Sequence, residues 1–202
     1  MQVFNIKNLT FHKCGPINFQ IKTNEIIGLS GASGSGKTLL LRALSDLDKH
    51  QGDVQLDEMI QQNTAAHLWR KKVAMLPAET GWWFDTVDEH FIEHDDTNLL
   101  AELDALGFPE QCMQWSIARL SSGEKQRLGL LRLIQNKPQV LLLDEPTANL
   151  DKNNTHLFEK FVKHYLTENN ACAIWVSHDA DQLQRVCHRQ FIIEKGMLEN
   201  VD

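Results

Sequence analysis

The sequence predicts an α/β domain with a mostly parallel sheet, antiparallel strands near the N-terminus and a small helical subdomain. Over the last third of the chain, apolar strand-like runs at 139–143, 171–177 and 190–194 alternate with helical stretches. Strands that are apolar at nearly every position are typical of a parallel sheet covered by helices on both faces. A helical, acid-rich stretch over 86–136 interrupts this alternation and predicts a separate lobe.

Each element is predicted from local periodicity and turn signals, beginning with three N-terminal strands rich in β-branched residues. The predicted strands are 3–9, 17–21, 25–30, 53–56, 73–76, 139–143, 171–177 and 190–194, and the predicted helices are 37–46, 65–72, 122–136, 152–168 and 180–187. We expect one domain over 1–202, with a core lobe formed by 1–78 and 137–202 and a helical lobe over about 79–136.

Composition limits the possible functions. The chain of 202 residues is 42% hydrophobic, which is enough for one domain with a sizeable core. Its formal charge of −7, without any local run of Lys and Arg, argues against a general nucleic-acid binder. No apolar run approaches the roughly 20 residues of a membrane-spanning helix, and the N-terminus lacks the apolar segment of a signal peptide. The four cysteines form no C-x-x-C pair and are typical of reduced thiols in the cytosol.

A glycine-rich loop follows the predicted strand IIGLS. Residues 31–38 read GASGSGKT and match G-x-x-x-x-G-K-[ST], the phosphate-binding loop of a P-loop NTPase core. The glycines let backbone N–H groups turn towards phosphate oxygens, and the helix that begins near Lys37 directs its positive end at them. Lys37 reaches the β- and γ-phosphates, and the Thr38 hydroxyl ligates Mg²⁺. The predicted nucleotide-binding residues of the loop are Gly31, Ala32, Ser33, Gly34, Ser35, Gly36, Lys37, Thr38 and Leu39.

A pair of acidic residues ends a second apolar strand. In VLLLDE at 140–145, four aliphatic residues lie inside the sheet, and Asp144 emerges at the carboxyl edge, where ligands bind in open α/β sheets. Asp144 can hold Mg²⁺, and Glu145 can orient or deprotonate an attacking water. The loop and the acidic pair together predict a P-loop enzyme, although kinases, GTPases and motor ATPases share both features.

The stretch LSSGEKQR at 120–127 discriminates among these enzymes. It opens a predicted helix and resembles the L-S-G-G-Q signature of the ABC-type ATPase family. In that family the motif caps the γ-phosphate of ATP bound to a second subunit, so that two ATP molecules lie between two subunits. Ser121 and Gly123 match the family positions. Ser122 replaces the first Gly, and Glu124 replaces Gln and puts a negative charge near phosphate. Outside this context, S-S-G-E is an ordinary helix N-cap.

The resemblance covers nearly the whole chain. The segment after Glu145 is similar to the family's D-loop, which implies that Asp151 lies at the dimer seam. The segment VSHD at 176–179 resembles the switch-histidine segment, which implies that His178 contacts the γ-phosphate and holds the water of Glu145 in line. Phe11 lies where the family often has an aromatic residue that stacks on adenine, with a core position as the alternative. The resemblance implies Glu145, His178 and Lys37 as catalytic residues, and Thr38 and Asp144 as ligands of Mg²⁺.

A run of three aromatic residues, Trp82-Trp83-Phe84, lies beyond the predicted strand 73–76. In the family, this strand ends in a glutamine that reaches Mg²⁺, and the loop after it faces a membrane partner. The matching position is Ala78, with Glu79 one residue away, so either Glu79 substitutes or water fills that place on the ion. Large aromatic residues are enriched at interfaces, which indicates that Trp82 and Trp83 contact the partner. Packing between the two lobes is the alternative.

The resemblance implies an ATP-hydrolysing subunit that binds ATP and Mg²⁺ and powers an ABC transporter through head-to-tail dimerisation. Its partners would be a second copy of itself and a separately encoded membrane permease, without nucleic acid. Its location would be cytoplasmic, peripheral on the inner face of the cell membrane. The alternative is a soluble ATP-gated clamp or sensor of the family that acts on another macromolecule. The short helical lobe is similar to that of small bacterial ATPases associated with metal-ion export, including iron.

His90 and His94 are spaced four residues apart in an acidic stretch, as two ligands of a metal site can be. The sequence implies no third ligand for such a site. We therefore interpret this stretch as a solvated acidic helix face.

Overall fold

The computed structural model describes residues 3–91 and 97–201, which form two sheets. The smaller sheet consists of β1 (Val3–Phe11), β2 (Cys14–Lys22), β4 (Gln51–Leu56) and β5 (Met59–Ile60). Its strand order is β2-β1-β4-β5, and all three pairings are antiparallel. The predicted antiparallel N-terminal strands are confirmed, and β1 and β2 are longer than their periodicity indicated.

The larger sheet carries the predicted parallel strands. It consists of β3 (Ile26–Ser30), β6 (Val73–Leu76), β7 (Val140–Asp144), β8 (Cys172–Val176), β9 (Arg189–Glu194) and β10 (Met197–Val201). Its order is β10-β9-β3-β8-β7-β6, and only the pairing of β9 with β10 is antiparallel among these described strands. The carboxyl ends of β3, β6, β7 and β8 therefore meet at one edge. The last strand, β10, is an antiparallel addition that the sequence did not predict.

Helices and short turns cover the larger sheet. The α-helices of the described residues are α1 (Lys37–Leu44), α2 (Ala66–Lys72), α3 (Thr97–Ala105), α4 (Ser122–Ile134), α5 (Lys152–Asn169) and α6 (Ala180–Val186). Single 3-10 turns lie at Gln61–Asn63, Asp88–His90, Glu110–Gln114 and Ile117–Arg119. None of the helices in the described ranges has both the length and the apolar character needed to cross a membrane.

The central strands are buried on both faces, which explains their uninterrupted apolar sequences. Every residue of β7 and β8 is buried. Because side chains alternate across a strand, Leu141 and Leu143 join one core cluster with α4 and α5, and Val140 and Leu142 join the other with α1 and the smaller sheet. Asp144 ends β7 as a buried polar residue, and this strand end positions the site described below.

The stretch from 86 to about 114 is less helical than predicted. Within its described part, α3 is the one α-helix, and an antiparallel bridge joins Thr86 to Ser116. Side chains that bond the local backbone compete with a helix here, since the Thr86 N–H donates to Glu89 Oε2 at 2.9 Å. Gly107, with φ 76°, then ends α3 in a Schellman-type turn. The interpretation of His90 and His94 as a solvated face is wrong for His90, which is buried, and His94 lies outside the described residues.

Candidate functional site

The phosphate loop joins β3 to α1 at the carboxyl edge of the larger sheet. Gly31 leaves β3 with φ 141°, and a Cβ there would lie 2.6 Å from the Ile193 carbonyl oxygen. Gly36 caps α1 with φ 109°, and a Cβ there would lie 2.9 Å from the Cys14 sulfur. Both positions therefore require glycine. The first N–H groups of α1 have no carbonyl acceptor within the helix, as binding of an anion requires.

Lys37 is the first residue of α1, and its ammonium group lies over the loop. Its Nζ donates to the carbonyl oxygens of Gly31 at 2.8 Å and Ala32 at 3.1 Å, and the residue is only 7% exposed. These neutral acceptors are weaker partners for an ammonium than ionised phosphate oxygens. The group is thus held at the loop and can exchange carbonyl oxygens for those of a nucleotide.

Two oxygen ligands suited to Mg²⁺ lie side by side. The Thr38 hydroxyl donates to Asp144 Oδ2 at 2.8 Å, which joins the phosphate loop to the end of β7. One hydroxyl and one carboxylate fit Mg²⁺, which takes few protein ligands and completes its shell with water and substrate phosphate oxygens. Among the described residues, no group of three or more His, Cys, Asp or Glu side chains is arranged to hold a metal ion. Thr38 and Asp144 would hold the ion.

Glu145 and His178 lie together next to this pair. Glu145 follows β7 directly, and the parallel register of Asp144 with Val176 brings it beside the turn that carries His178. The distance from His178 Nε2 to Glu145 Oε1 is 3.2 Å, but Oε1 has no hydrogen-bond partner of suitable geometry among the described residues. We therefore describe this contact as electrostatic rather than as a hydrogen bond. Glu145 also adopts a left-handed backbone conformation, with φ 47°, which is uncommon for a non-glycine residue.

The environment of Glu145 favours the behaviour of a general base. Burial raises the pKa of its carboxyl above the usual value, and the nearby His178 offsets only part of this effect. A raised pKa means that the carboxylate binds a proton at a higher pH than an ordinary glutamate does. Its orphaned Oε1 is a free acceptor within the described site, positioned to take the proton of a water.

The stretch 120–127 forms the start of α4. Ser121 and Glu124 form a capping box, in which Ser121 Oγ accepts from the Glu124 N–H at 3.2 Å. The Ser121 N–H and hydroxyl both donate to Glu124 Oε2 at 2.8 Å. Gly123 packs on the loop after β7, because a Cβ there would lie 2.8 Å from the Asn149 carbonyl oxygen. Asp151, at the end of that loop, caps α5 by accepting from the Asn154 N–H at 2.9 Å.

Comparison with known proteins decides the family. A family model described as "ABC transporter" matches residues 14–148, which is more than half of the chain. The chain belongs to the ABC transporter family. "Probable iron export ATP-binding protein FetA" of Escherichia coli (strain K12) is 32% identical over 176 residues, covering 83% of this chain and 78% of FetA. "Tungstate uptake system ATP-binding protein TupC" of Peptoclostridium acidaminophilum is 28% identical over 211 residues, covering 99% of this chain and 91% of TupC.

A solved structure shows the same fold. "Structure of a bacterial Atm1-family ABC exporter with ATP bound" aligns with a TM-score of 0.85 at 17% identity, over 98% of this chain and 38% of that one. Other curated relatives are longer, and the chain spans 62% of one and 57% of another. These comparisons identify the chain as an ATP-binding subunit of an ABC transporter, which is a transport-coupled ATPase.

The structure favours the core alternative for Phe11 of this ABC ATPase. Phe11 is 3% exposed, and its ring lies 3.8 Å from the position of a Cβ at Gly36. A ring buried to this extent packs beside Gly36 of the phosphate loop and has no exposed face on which adenine could stack. The exposed aromatic residue of the adjacent turn is His12, with φ 49°, which the sequence analysis did not single out.

A buried polar network of the ABC ATPase links the loop that follows Glu145 to α5 and α6, and no pattern in the sequence predicted it. Gln182 in α6 is 2% exposed and donates to Thr147 Oγ1 at 2.9 Å and to Glu159 Oε1 at 2.7 Å. Arg185 donates to the two oxygens of Glu159 at 3.1 and 2.7 Å. Gln182 Oε1 accepts from the Trp175 indole at 3.3 Å. The network fixes α6 relative to the loop that follows Glu145.

The loop after β6 leaves the sheet beside the acidic pair, because Leu76 pairs with Leu143 in parallel register. Ala78 and Glu79 are both exposed there. Neither residue makes a contact in the described chain that assigns it to the metal site. Two alternatives therefore remain for the place on Mg²⁺ that a glutamine occupies in the family. In this ABC ATPase, either Glu79 or a water molecule takes that place.

The aromatic run of the ABC ATPase is divided between core and surface. Trp82 is half-buried, with Nε1 donating to Thr80 Oγ1 at 2.9 Å and the Arg132 guanidinium 4.4 Å from its ring centre. Trp83 is 65% exposed and Phe84 is 48% exposed. Buried His90 fixes both, because its Nε2 accepts their backbone N–H groups at 2.9 and 3.0 Å.

Proposed function

We propose that two copies of this chain bind two ATP·Mg²⁺ head to tail and that closure and opening of this pair drive a separate membrane subunit. One observation carries the proposal: the Thr38–Asp144 contact of 2.8 Å lies beside the Glu145–His178 contact of 3.2 Å at the end of the phosphate loop. Such an arrangement places a metal, a triphosphate and a base together. Ser121 and Gly123 match the signature motif, which in the family caps ATP bound to a second subunit, so we assign them to the ATP of the other copy.

The reaction is hydrolysis of ATP to ADP and phosphate. Glu145 accepts a proton from water as the water oxygen attacks the γ-phosphorus, and the bond to the bridging oxygen of ADP breaks. Lys37 stabilises negative charge on the β- and γ-phosphates, and His178 keeps the base and the γ-phosphate aligned. Mg²⁺, held by Thr38 and Asp144, supplies positive charge to the phosphate oxygens when bound. Asp151 lies at the seam between the copies.

Mixing two inactive variants tests the head-to-tail arrangement. Lys37→Met removes the ammonium group that contacts the β- and γ-phosphates. Ser121→Asp retains a helix N-cap but repels phosphate. We expect each variant alone to lack ATPase activity and the mixture to recover part of it, because a mixed pair has one site with intact Lys37 and intact Ser121. ATPase assays of the separate and mixed proteins provide the measurement.

The matched control is Lys160→Met, at an exposed position of α5, which should remain active on its own. A mixture as inactive as its components would contradict the exchange of signature motifs between copies. Activity of the intact chain without any self-association would contradict the paired arrangement itself.

Trp83 and Phe84 are proposed to contact the membrane subunit at the inner face of the membrane. The exposed pair lies on a rigid support, because His90 and the cation–π contact of Arg132, 4.8 Å from the Trp83 ring, fix its position. Trp82 takes no part, since it packs against the core. Exposed aromatic residues on a fixed backbone are suited to anchor a protein partner.

Replacing Trp83 with Ala is expected to leave ATP binding unchanged and to abolish stimulation of the ATPase by the co-expressed membrane subunit. The Trp83 ring would be buried only in the complex with the membrane subunit. Its removal should therefore not change ATP binding by the isolated chain. Met197→Ala is the control, because Met197 is 53% exposed on the edge strand β10. Equal stimulation of both variants would exclude Trp83 from the interface.

A further inference from the structure

We propose that Glu124 holds the hydroxyl of Ser121 in competition with the γ-phosphate of the partner's ATP and thereby limits how tightly two ATP-loaded copies pair. The inference rests on the proposed function and adds a residue that sets the affinity of the same site. Glu124 stands where the signature L-S-G-G-Q has Gln, so this chain carries a carboxylate next to the Ser121 hydroxyl.

In the structure, the hydroxyl proton of Ser121 is already donated to a carboxylate oxygen. Ser121 has one hydroxyl proton, and it is donated to Glu124 Oε2 at 2.8 Å. The Ser121 N–H is donated to the same oxygen, also at 2.8 Å. A phosphate oxygen can only accept a hydrogen bond, so Ser121 can bind it only after its proton turns away from Glu124. Each pairing event therefore breaks one hydrogen bond in each copy.

The charge of Glu124 strengthens this competition. Burial raises the pKa of Glu124, but the hydrogen bonds from Ser121 and the charges of Arg127 and Arg119 outweigh this effect and hold the pKa below its usual value, so the carboxyl is ionised at neutral pH. Hydrogen bonds to an ionised acceptor are roughly twice as strong as neutral ones. The same carboxylate repels a triphosphate that approaches the start of α4, which opposes the attraction of the helix N-terminus.

If Glu124 acted only as a helix cap, replacing it would not tighten pairing of the two copies. As the third residue of the capping box, Glu124 stabilises the first turn of α4. A glutamine keeps an amide oxygen for the same two donors and loses only the charge. If capping alone mattered, Glu124→Gln would pair no better than the parent chain, and Glu124→Ala would pair less well.

The test measures pairing in the slowly hydrolysing Glu145→Gln background. Light scattering or sedimentation with ATP and Mg²⁺ gives the protein concentration at half-association. We expect Glu145→Gln/Glu124→Gln to pair at a roughly tenfold lower concentration than Glu145→Gln alone, since a charge-assisted bond is replaced by a neutral one in both copies. The difference should shrink as salt is added, because added ions screen the repulsion.

The control is Glu145→Gln/Glu168→Gln, which removes the same charge at an exposed position of α5 and should pair like Glu145→Gln. Equal or weaker pairing of the Glu124→Gln protein, or tighter pairing of the control to the same degree, would overturn the competition. If neither the parent nor the Glu124→Gln protein pairs at any concentration, the proposed function fails and the inference fails with it. Tighter pairing that depends on salt supports both.

Discussion

Glu145→Gln is expected to slow ATP turnover by roughly 10²–10⁴, the usual contribution of a general base. The amide keeps the size of the carboxylate but cannot accept a proton from water. Binding of ATP should persist, because Lys37, Thr38 and Asp144 are unchanged, and paired copies with ATP between them should accumulate. Single-turnover hydrolysis measures the rate, and light scattering measures the pairs.

An exposed carboxylate on another strand offers a control for this prediction. Glu194→Gln changes the same chemical group at the exposed end of β9 and should leave turnover unchanged. Turnover of the Glu145→Gln protein within a fewfold of the parent chain would assign the base to another residue. Loss of ATP binding in that protein would show that Glu145 supports the phosphate site instead.

Trp175→Ala is expected to lower the free energy of unfolding by about 3–5 kcal/mol, a large part of the stability of a domain. Trp175 in β8 has no exposed surface, and its ring meets Phe158 edge-on at 5.8 Å between centres. Truncation leaves a cavity between the sheet and α5 and removes the indole donor from Gln182. Denaturant unfolding followed by circular dichroism gives the free energy.

A smaller change at the same position separates packing from hydrogen bonding. Trp175→Phe keeps a ring in the core and loses the indole N–H, so we expect a clearly smaller loss of stability than for Trp175→Ala. Equal losses in the two variants would mean that the bond to Gln182, rather than the ring, dominates at this position.

The phosphate site was predictable because its geometry depends on short stretches of chain. The run 31–38 fixes its own loop through glycines, and β7 is apolar at every position before Asp144, so its direction and its end follow from the sequence. The parallel sheet then brings Asp144, Glu145 and His178 to one edge without further information. These parts of the site depend on local pattern and on one general rule of topology.

The burial of Phe11 depends on an irregularity of β1 that the sequence does not reveal. Along β1, Phe4 and Ile6 are buried at even positions, whereas Leu9 and Phe11 are buried at odd positions. The pairing of β1 with β2 shifts its register between Ile6 and Leu9, and this irregularity changes which face each side chain takes. The choice between adenine stacking and a core position for Phe11 was therefore open from the sequence and needed the strand pairing of the structure.

The aromatic run shows a second limit. Three consecutive aromatic residues are equally apolar in sequence, and only the tertiary contacts of His90 and Arg132 decide that Trp82 turns inward while Trp83 remains exposed. The polar network around Gln182 is similar, because Gln182 and its partner Thr147 are 35 residues apart and neither residue indicates the contact on its own.

The close approach of Gly123 to Asn149 has a mechanical consequence for the assembled transporter. Because no methyl group fits between them, the first turn of α4 cannot tilt without pushing the backbone that leads to Asp151. Force applied to the helical segment by a docked protein would thus reach the cap of α5 through backbone contact alone.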